Sequence, residues 1–174
     1  PTALFPAVLP GAEMVFSAPV PTAWSAGMTL ALRGPLGRGF HLPAGPRRLA
    51  LAAWNGSPGP LLPLAQSVLA DGGEVALYAH SAPAHLPPQV EVLPLDLLPE
   101  APGWAHFLAL DVALDALAGL PARLGLQRPA NLPCAAQVLV RTAMPCAGLA
   151  GCGVCAVSTR RGWKLACIDG PVFD

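Results

Sequence analysis

An alternation of short apolar runs with helical segments, between residues 48 and 141, constrains the fold most strongly. The run RLALAAW at 48–54 is typical of a buried strand, and LLPLAQSVLADGG at 61–73 is typical of a helix that ends in glycines. EVALYAHS at 74–81 then indicates a second strand. Strands joined by a helical crossover pair in parallel. The sequence therefore predicts an α/β fold built on a small parallel sheet.

The same alternation continues toward the C-terminus. Residues 90–94 form a short extended piece, and HFLALD at 106–111 indicates another buried strand. VALDALAGLPARLGL at 112–126 carries apolar residues at helical spacing, and CAAQVLVR at 134–141 indicates a further strand. Helices on both faces of the sheet are expected from this order.

The residues before this unit differ in composition. They are rich in proline and glycine, with short strand-like runs at Met14 to Phe16 and Met28 to Leu32, so helix is not expected there. We predict three segments: a β-rich remnant at 1–45, an α/β unit at 46–133, and a C-terminal cysteine segment at 134–174.

The net charge of the chain and the lengths of its apolar stretches exclude some classes of partner. Ten basic and ten acidic residues cancel, and no basic run is present, so no nucleic-acid partner is expected. Stretches such as Leu49 to Trp54 and Phe107 to Leu110 are too short to span a bilayer, so no membrane association is expected either. Only 11% of residues are charged and 22 are proline, which fits a subunit covered by another chain.

The first residues, PTALFPAVLPGAEMVF, show neither a basic leader nor a long apolar core. This pattern does not indicate a secretory signal, and a cytoplasmic location is expected. Five cysteines, an odd number gathered near one end, do not form the framework of a disulfide-stapled domain. In a reducing compartment such a cluster is more typical of a metal site.

Four of these cysteines follow the spacing C-x5-C-x2-C-x11-C, at Cys146, Cys152, Cys155 and Cys167. Small residues between the first three allow the backbone to curl and to direct its N–H groups inward. Four thiolates suit either a [2Fe–2S] cluster or a structural zinc ion. The spacing is closer to plant-type ferredoxins, where C-x2-C follows a long loop and the fourth cysteine is remote. Zinc at the same cysteines, and inert buried thiols, remain the alternative readings.

The tail of the sequence resembles a known family. MPC…GCGVCAV…GWKLACIDGPVFD is similar to the C-terminus of the electron-transfer subunit of dihydroorotate dehydrogenase, a member of the ferredoxin-reductase superfamily. GMTLALRGPLGRGFHLP at 27–43 resembles the stretch with which that family leaves its flavin-binding barrel. The resemblance runs from about Gly27 to Asp174.

The resemblance implies an electron-transfer role in pyrimidine biosynthesis. In such subunits a [2Fe–2S] cluster on the four cysteines relays electrons between FAD and the flavin of a catalytic dihydroorotate dehydrogenase chain, which would be the partner here. It also implies that Gly34, Pro35, Leu36 and Gly37 border a flavin. A Pro/Gly turn that links two modules would explain the same four residues without FAD.

The sequence also departs from the family pattern. Five residues separate the first two cysteines where the family usually has four, and the family's flavin barrel is longer than the 26 residues before Gly27. The family's glycine-rich nucleotide turn is represented by AWNGSPGPLL at 53–62, in which a tryptophan and two prolines add bulk and remove N–H donors. Leu110, Asp111 and Val112 replace its Cys-Gly-Pro element. A degenerate NAD(H) site is therefore expected.

No other motif indicates catalysis. The sequence shows neither a nucleophile elbow nor a P-loop lysine, so no catalytic residue is assigned. Asp111 and Asp115 are interpreted as solvated residues at the start of a helix, and Cys134 as a small buried residue. The four histidines are dispersed along the sequence and are interpreted as surface or loop residues: His41, His80, His85 and His106. The alternative function is a non-redox structural or regulatory subunit with zinc or no metal at the same cysteines.

Overall fold

The structure is a computed structural model that describes residues 1–7, 15–16, 20–45, 47–54, 57–83, 86–126 and 131–174. Its centre is a six-stranded sheet in the order β10-β7-β6-β3-β4-β5. Every neighbouring pair is parallel except β10 and β7, which are antiparallel. The strands are β3 (Arg48–Ala53), β4 (Glu74–Tyr78), β5 (Val90–Leu93), β6 (Phe107–Ala113), β7 (Ala135–Arg141) and β10 (Val172–Phe173). The mainly parallel α/β sheet predicted from the sequence is thus confirmed.

Two smaller pairs of strands lie outside this sheet. β1 (Pro6–Ala7) pairs with β2 (Val15–Phe16), and β8 (Ala156–Thr159) pairs with β9 (Gly162–Leu165) as an antiparallel hairpin. The helices are α1 (Leu62–Ala70), α2 (Ala101–Trp104) and α3 (Leu120–Arg123), with 3-10 turns at Gly59–Leu61, Leu95–Glu100 and Leu114–Gly119. Among the described residues, no helix combines the length and the apolar character needed to cross a bilayer.

Apolar residues cover both faces of the sheet. Along β3, Leu49 and Leu51 point into the core beneath α1, whereas Ala50 and Ala52 point into a second core beneath α2 and α3. Successive side chains of a strand face opposite sides, so a strand buried on both faces must be continuously apolar. This explains why 49–54 appears in the sequence as an unbroken apolar run.

Two sequence-based expectations about secondary structure were wrong. The segment 112–126 is not one helix, because β6 continues to Ala113 and only a 3-10 turn and the four-residue α3 follow. β6 pairs with β7 over seven residues, and this ladder holds its last two residues in the sheet. Met28 to Leu32 forms no strand, and Met14 lies outside the described residues.

The stretch Gly34–Phe40 docks on the C-terminal part of the chain. The Arg38 N–H donates to the carbonyl oxygen of Gly170, and the Val172 N–H donates to the carbonyl oxygen of Arg38 at 3.3 Å. Gly37 has a φ of +64°, and a Cβ there would overlap the Gly170 carbonyl. The approach of these two backbones therefore requires a glycine at 37.

Replacing Gly37 by alanine should destabilise the protein by more than about 2 kcal/mol, because a left-handed conformation costs a residue with a side chain roughly 1–2 kcal/mol before the overlap is counted. Gly39→Ala is the matched control, since a Cβ at Gly39 meets nothing within 4 Å. Urea unfolding of both variants measures the difference. Equal stabilities of the two would contradict the requirement.

Candidate metal centre

The cysteine segment is anchored at both ends by one edge of the sheet. It leaves at the carboxyl end of β7 and returns as β10, which pairs Val172 with Leu139 and Phe173 with Val138. Between them lie a loop with three cysteines, the β8–β9 hairpin, and a turn with the fourth cysteine. The hairpin turns at Thr159 to Gly162, with Gly162 at a φ of +96°.

Cys155 and Cys167 form a buried pair of thiols. Their Sγ atoms are 3.5 Å apart, and the Ala166 N–H donates to the carbonyl oxygen of Cys155 at 3.0 Å. Both pack in a small apolar core with Val140 and Val157. Two thiolates on one tetrahedral ion, at about 2.3 Å from it, would be about 3.8 Å apart. The observed separation is close to what a shared metal ion requires.

Cys146 and Cys152 form a second, more exposed pair. A hydrogen bond from the Cys152 thiol is the main cause that lowers the pKa of Cys146 to about 6. The backbone N–H groups of Gly151, Cys152 and Leu149 lower this pKa further, while burial opposes the change. The loop therefore favours a thiolate at Cys146, the form that binds metal.

Backbone conformation explains how so many N–H groups reach one sulfur. Ala147, Gly148 and Ala150 have φ values of 51°, 77° and 59°. Left-handed residues in a turn direct successive N–H groups into one concavity, which binds anions. Two of these positions are alanine, and such conformations are uncommon for residues with a Cβ. The loop thus adopts a strained turn at the place where the thiols gather.

The two pairs lie next to each other. The Ala150 N–H hydrogen-bonds to Cys167 and so links the loop to the buried pair. The pKa of Cys167 is raised, chiefly by burial and by its hydrogen bond with Cys155, and the negative charge of Cys146 adds to this rise. Among the described residues no three Cys, His, Asp or Glu side chains converge closely enough to hold a single metal ion. The structure thus puts Cys155 and Cys167 in direct contact and sets the loop that carries Cys146 and Cys152 beside them.

A buried ion pair lies at the carboxyl ends of the neighbouring strands, where sequence reasoning had assigned a solvated carboxylate. Asp111 belongs to β6 and is 3% exposed. It accepts hydrogen bonds from Nε of Arg141 at 2.6 Å and from a terminal guanidinium nitrogen at 2.5 Å. Burial, the larger effect, raises the pKa of Asp111, and the pairing with Arg141 opposes that rise. The interpretation of Asp111 as a helix N-terminal residue was therefore wrong.

Arg141 also makes contacts beyond the carboxyl ends of the strands. Its guanidinium donates to the carbonyl oxygen of Ser57 at 3.0 Å and lies 5.4 Å from the centre of the Phe5 ring. Beside it, the Arg123 guanidinium stacks 4.0 Å from the centre of the Trp54 ring. Ligands of open α/β sheets usually bind at this end of the strands. Here the chain's own side chains fill part of that space.

Other predicted residues lie around or away from the cysteines. Leu36 packs against Gly148, where a Cβ would come 2.6 Å from Leu36 Cδ1, while Gly34 and Pro35 are exposed. Cys134, partly buried, stands at the opposite end of β7. His41 and His80 are exposed, His106 Nδ1 accepts a hydrogen bond from the Arg47 N–H at 3.3 Å, and His85 lies outside the described residues.

Comparison with known proteins adds three findings. Residues 142–174 match the family model described as the iron–sulfur cluster binding domain of dihydroorotate dehydrogenase B. A sequence search of curated proteins gave no match.

Among solved structures, the fold is similar to that of an NADH-dependent reduced ferredoxin-NADP oxidoreductase, studied for flavin-based electron bifurcation. The TM-score is 0.57 at 17% sequence identity, over 83% of this chain and 58% of that chain. The chain thus spans less than two thirds of that structure. Together the comparisons agree with the resemblance seen in the sequence: residues 142–174 match the iron–sulfur cluster binding domain of dihydroorotate dehydrogenase B, and the fold is similar to that of a ferredoxin-NADP oxidoreductase.

Proposed function

We propose that this chain is an electron-transfer subunit that holds a [2Fe–2S] cluster on Cys146, Cys152, Cys155 and Cys167. Its partner is a flavin-containing catalytic chain of dihydroorotate dehydrogenase, and its setting is pyrimidine biosynthesis in the cytoplasm. The proposal includes the division of the chain at residues 45 and 133, with the last segment carrying the cluster. Such a cluster accepts and releases single electrons.

The observation that carries the proposal is the arrangement of the thiols in two adjacent pairs. A [2Fe–2S] cluster has two irons, each bound by two protein ligands. The Cys155–Cys167 pair, 3.5 Å between sulfurs, and the hydrogen-bonded Cys146–Cys152 pair match that demand. A structural zinc ion would instead need all four thiolates around one point. The paired arrangement favours the two-iron centre over zinc.

The residues around the thiols have separate tasks. The N–H groups of Gly151 and Cys152 donate to the Cys146 sulfur and stabilise its anionic form, while the Leu149 N–H donates to the carbonyl oxygen of Cys146 at 3.1 Å. Val157 and Ala166 pack around the buried pair and exclude water from it. Cys152 is exposed and marks the side from which an electron partner can approach.

We further propose that NAD(H) does not bind. Pyrophosphate binding in such folds needs free N–H groups at the turn after the first strand and a close backbone approach. Here Pro58 and Pro60 supply no N–H, and the turn is tied down because the Ser57 carbonyl accepts from Arg141. Electrons that enter from the catalytic flavin would then leave to a one-electron acceptor protein rather than to a pyridine nucleotide.

Titration with NADH should accordingly give no saturable binding and no bleaching of the cluster colour. Nucleotide fluorescence measures the first and the visible spectrum under anaerobic conditions measures the second. A ferredoxin-NADP oxidoreductase assayed with its own nucleotide in the same cell is the positive control. Saturable NADH binding by this chain would contradict the proposal that its own side chains block the nucleotide site.

We propose that the flavin belongs to the partner. Leu36 contacts Gly148, and Gly37 closely approaches Gly170, so docking on the cysteine segment accounts for these two residues without FAD. Flavin fluorescence after denaturation of the purified chain tests this point. Stoichiometric release of FAD would instead support the prediction that a flavin is bordered by Gly34, Pro35, Leu36 and Gly37.

The function itself is tested by a metal assay. The protein is purified without oxygen, and iron, acid-labile sulfide and zinc are measured on one sample. About two irons and two sulfides per chain, with a bleachable red-brown colour, are the expected result. One zinc ion and no colour would instead support the structural subunit and remove the redox role.

A further inference from the structure

The net charge of zero conceals a separation of charge along the chain. Residues 20–45 and 142–168 contain no aspartate or glutamate, yet they carry Arg33, Arg38, Arg160, Arg161 and Lys164. Among the described residues, only Lys164 of these five forms an ion pair, with Asp169 at 3.3 Å. The four arginines are exposed. These two segments are therefore basic, and Asp169 is the carboxylate that lies next to them.

Exposed apolar side chains concentrate in the same two segments. Of ten exposed large hydrophobic residues among the described ones, eight lie within 20–32 or 149–168. Trp163 is 74% exposed, the highest value of the set. In the second segment these residues are Leu149, Val154, Trp163 and Ile168, of which Val154 and Ile168 directly adjoin Cys155 and Cys167 in sequence. Apolar groups gathered in this way are typical of protein interaction sites.

Direct contacts join the two segments into one surface. Leu36 lies against Gly148, one residue before Leu149, and Arg38 is hydrogen-bonded to Gly170 and Val172. We call this surface the cysteine face and define it as residues 33–38 and 148–168. Cys152, an exposed member of the proposed ligand set, lies within it.

The far edge of the sheet has the opposite character. β4 and β5 form that edge, five strands away from β10. It carries Glu74 and Glu91, and Asp96 and Glu100 follow in the next turn. Such a charge distribution orients an approaching charged molecule before contact. An acidic partner is therefore directed to the cysteine face and away from β5.

We propose that the cysteine face is the docking site of a redox protein whose own surface has an apolar centre and a rim of carboxylates. This inference rests on the electron-transfer function proposed above and specifies the partner surface for that site. Apolar side chains beside the cysteines supply the contact centre, with Trp163 as the main anchor. Arg33, Arg38, Arg160 and Arg161 supply a rim that accelerates encounter and fixes orientation.

Binding to the flavin-containing catalytic chain of dihydroorotate dehydrogenase from the same organism is the test. The cluster-loaded chain is immobilised, and association and dissociation rates are measured at several salt concentrations. Arg160→Glu/Arg161→Glu should weaken binding about tenfold or more, mainly through a slower association rate, and should flatten the salt dependence. Trp163→Ser should weaken binding about thirtyfold, mainly through faster dissociation.

Matched controls lie on the other side of the molecule. Arg47→Glu/Arg48→Glu reverses the same number of charges, and Leu97→Gln removes another exposed apolar residue. Both should leave the dissociation constant within about twofold, because they lie outside the interface. Iron and sulfide content of each variant shows that the site itself is intact.

Three outcomes would overturn the docking proposal. Equal effects of the two arginine pairs would show only a general response to charge. If sedimentation shows that this chain self-associates and that the Trp163 variant does not, the cysteine face is a contact between copies of the chain. No binding to the catalytic chain, with strong binding to phosphatidylserine vesicles, would make it a lipid-facing surface. In each case a positive iron and sulfide assay leaves the electron-transfer function standing, whereas a chain without iron refutes that function separately.

Discussion

Replacing Cys155 by serine should reduce bound iron from about two atoms per chain to nearly none. Cys155 is buried, and its Sγ is 3.5 Å from Cys167, so this position has no solvent access through which water could easily replace the lost ligand. A serine hydroxyl is a much weaker ligand for iron than a thiolate. Iron and sulfide assays with the visible spectrum measure the loss.

Cys134→Ser is the matched control for this variant. Cys134 is partly buried, and burial raises the pKa of its thiol, which disfavours metal binding. It precedes β7, whereas the cysteine loop follows that strand. The control should keep its full iron and sulfide content. Full iron content in the Cys155 variant, or equal loss in both, would contradict the assignment of the ligands.

Replacing Asp111 by alanine should lower the free energy of unfolding by about 3–5 kcal/mol, because removal of one partner leaves a buried charge uncompensated. Arg141 would keep its hydrogen bond to the Ser57 carbonyl but lose both bonds to the carboxylate. Urea denaturation under anaerobic conditions, followed by tryptophan fluorescence, measures the difference.

Glu74→Ala provides the comparison for an exposed pair. Glu74 and Arg48 are 3.6 Å apart and largely open to solvent, so this variant should lose no more than about 1 kcal/mol. Asp111→Asn keeps the shape and part of the hydrogen bonding, and should fall between the two. A cost below about 1 kcal/mol for Asp111→Ala would show that the ion pair is not needed for stability.

The central sheet was predictable because its signals are local. β3, β4 and β6 are short apolar runs, α1 has helical spacing, and glycines follow it. Each of these properties is contained in a window of about ten residues. The strand–helix order then leaves few topologies, since parallel strands need crossovers of fixed hand.

The ion pair at Asp111 was missed because its cause is not local. Asp111 and Arg141 are separated by 30 positions and meet only when β6 and β7 pair in their observed register. Within its own window, Asp111 stands before apolar residues at helical spacing, which indicates a helix start. The available signal for this ion pair was Arg141, a basic residue at the end of the next predicted strand. Its position in the sequence does not specify the register in which β6 and β7 pair.

The cysteine set could be named from spacing, whereas its division into pairs could not. Spacing shows which thiols can approach one another. The pairing of Cys155 with Cys167, however, depends on the β8–β9 hairpin and on the turn after it. The contact between Leu36 and Gly148 depends in the same way on where the chain returns. Such contacts follow from the assembled sheet, not from neighbours in sequence.

The closure of the cysteine segment by β10 has a consequence for the order of events during synthesis. Cys146, Cys152 and Cys155 leave the ribosome before Cys167, and β10 can pair with β7 only after Val172 and Phe173 are made. Three thiols are thus exposed in a growing chain before the fourth can join them. Loading with iron should therefore follow translation of residue 173, and a nascent chain stalled before that point should acquire no stable cluster.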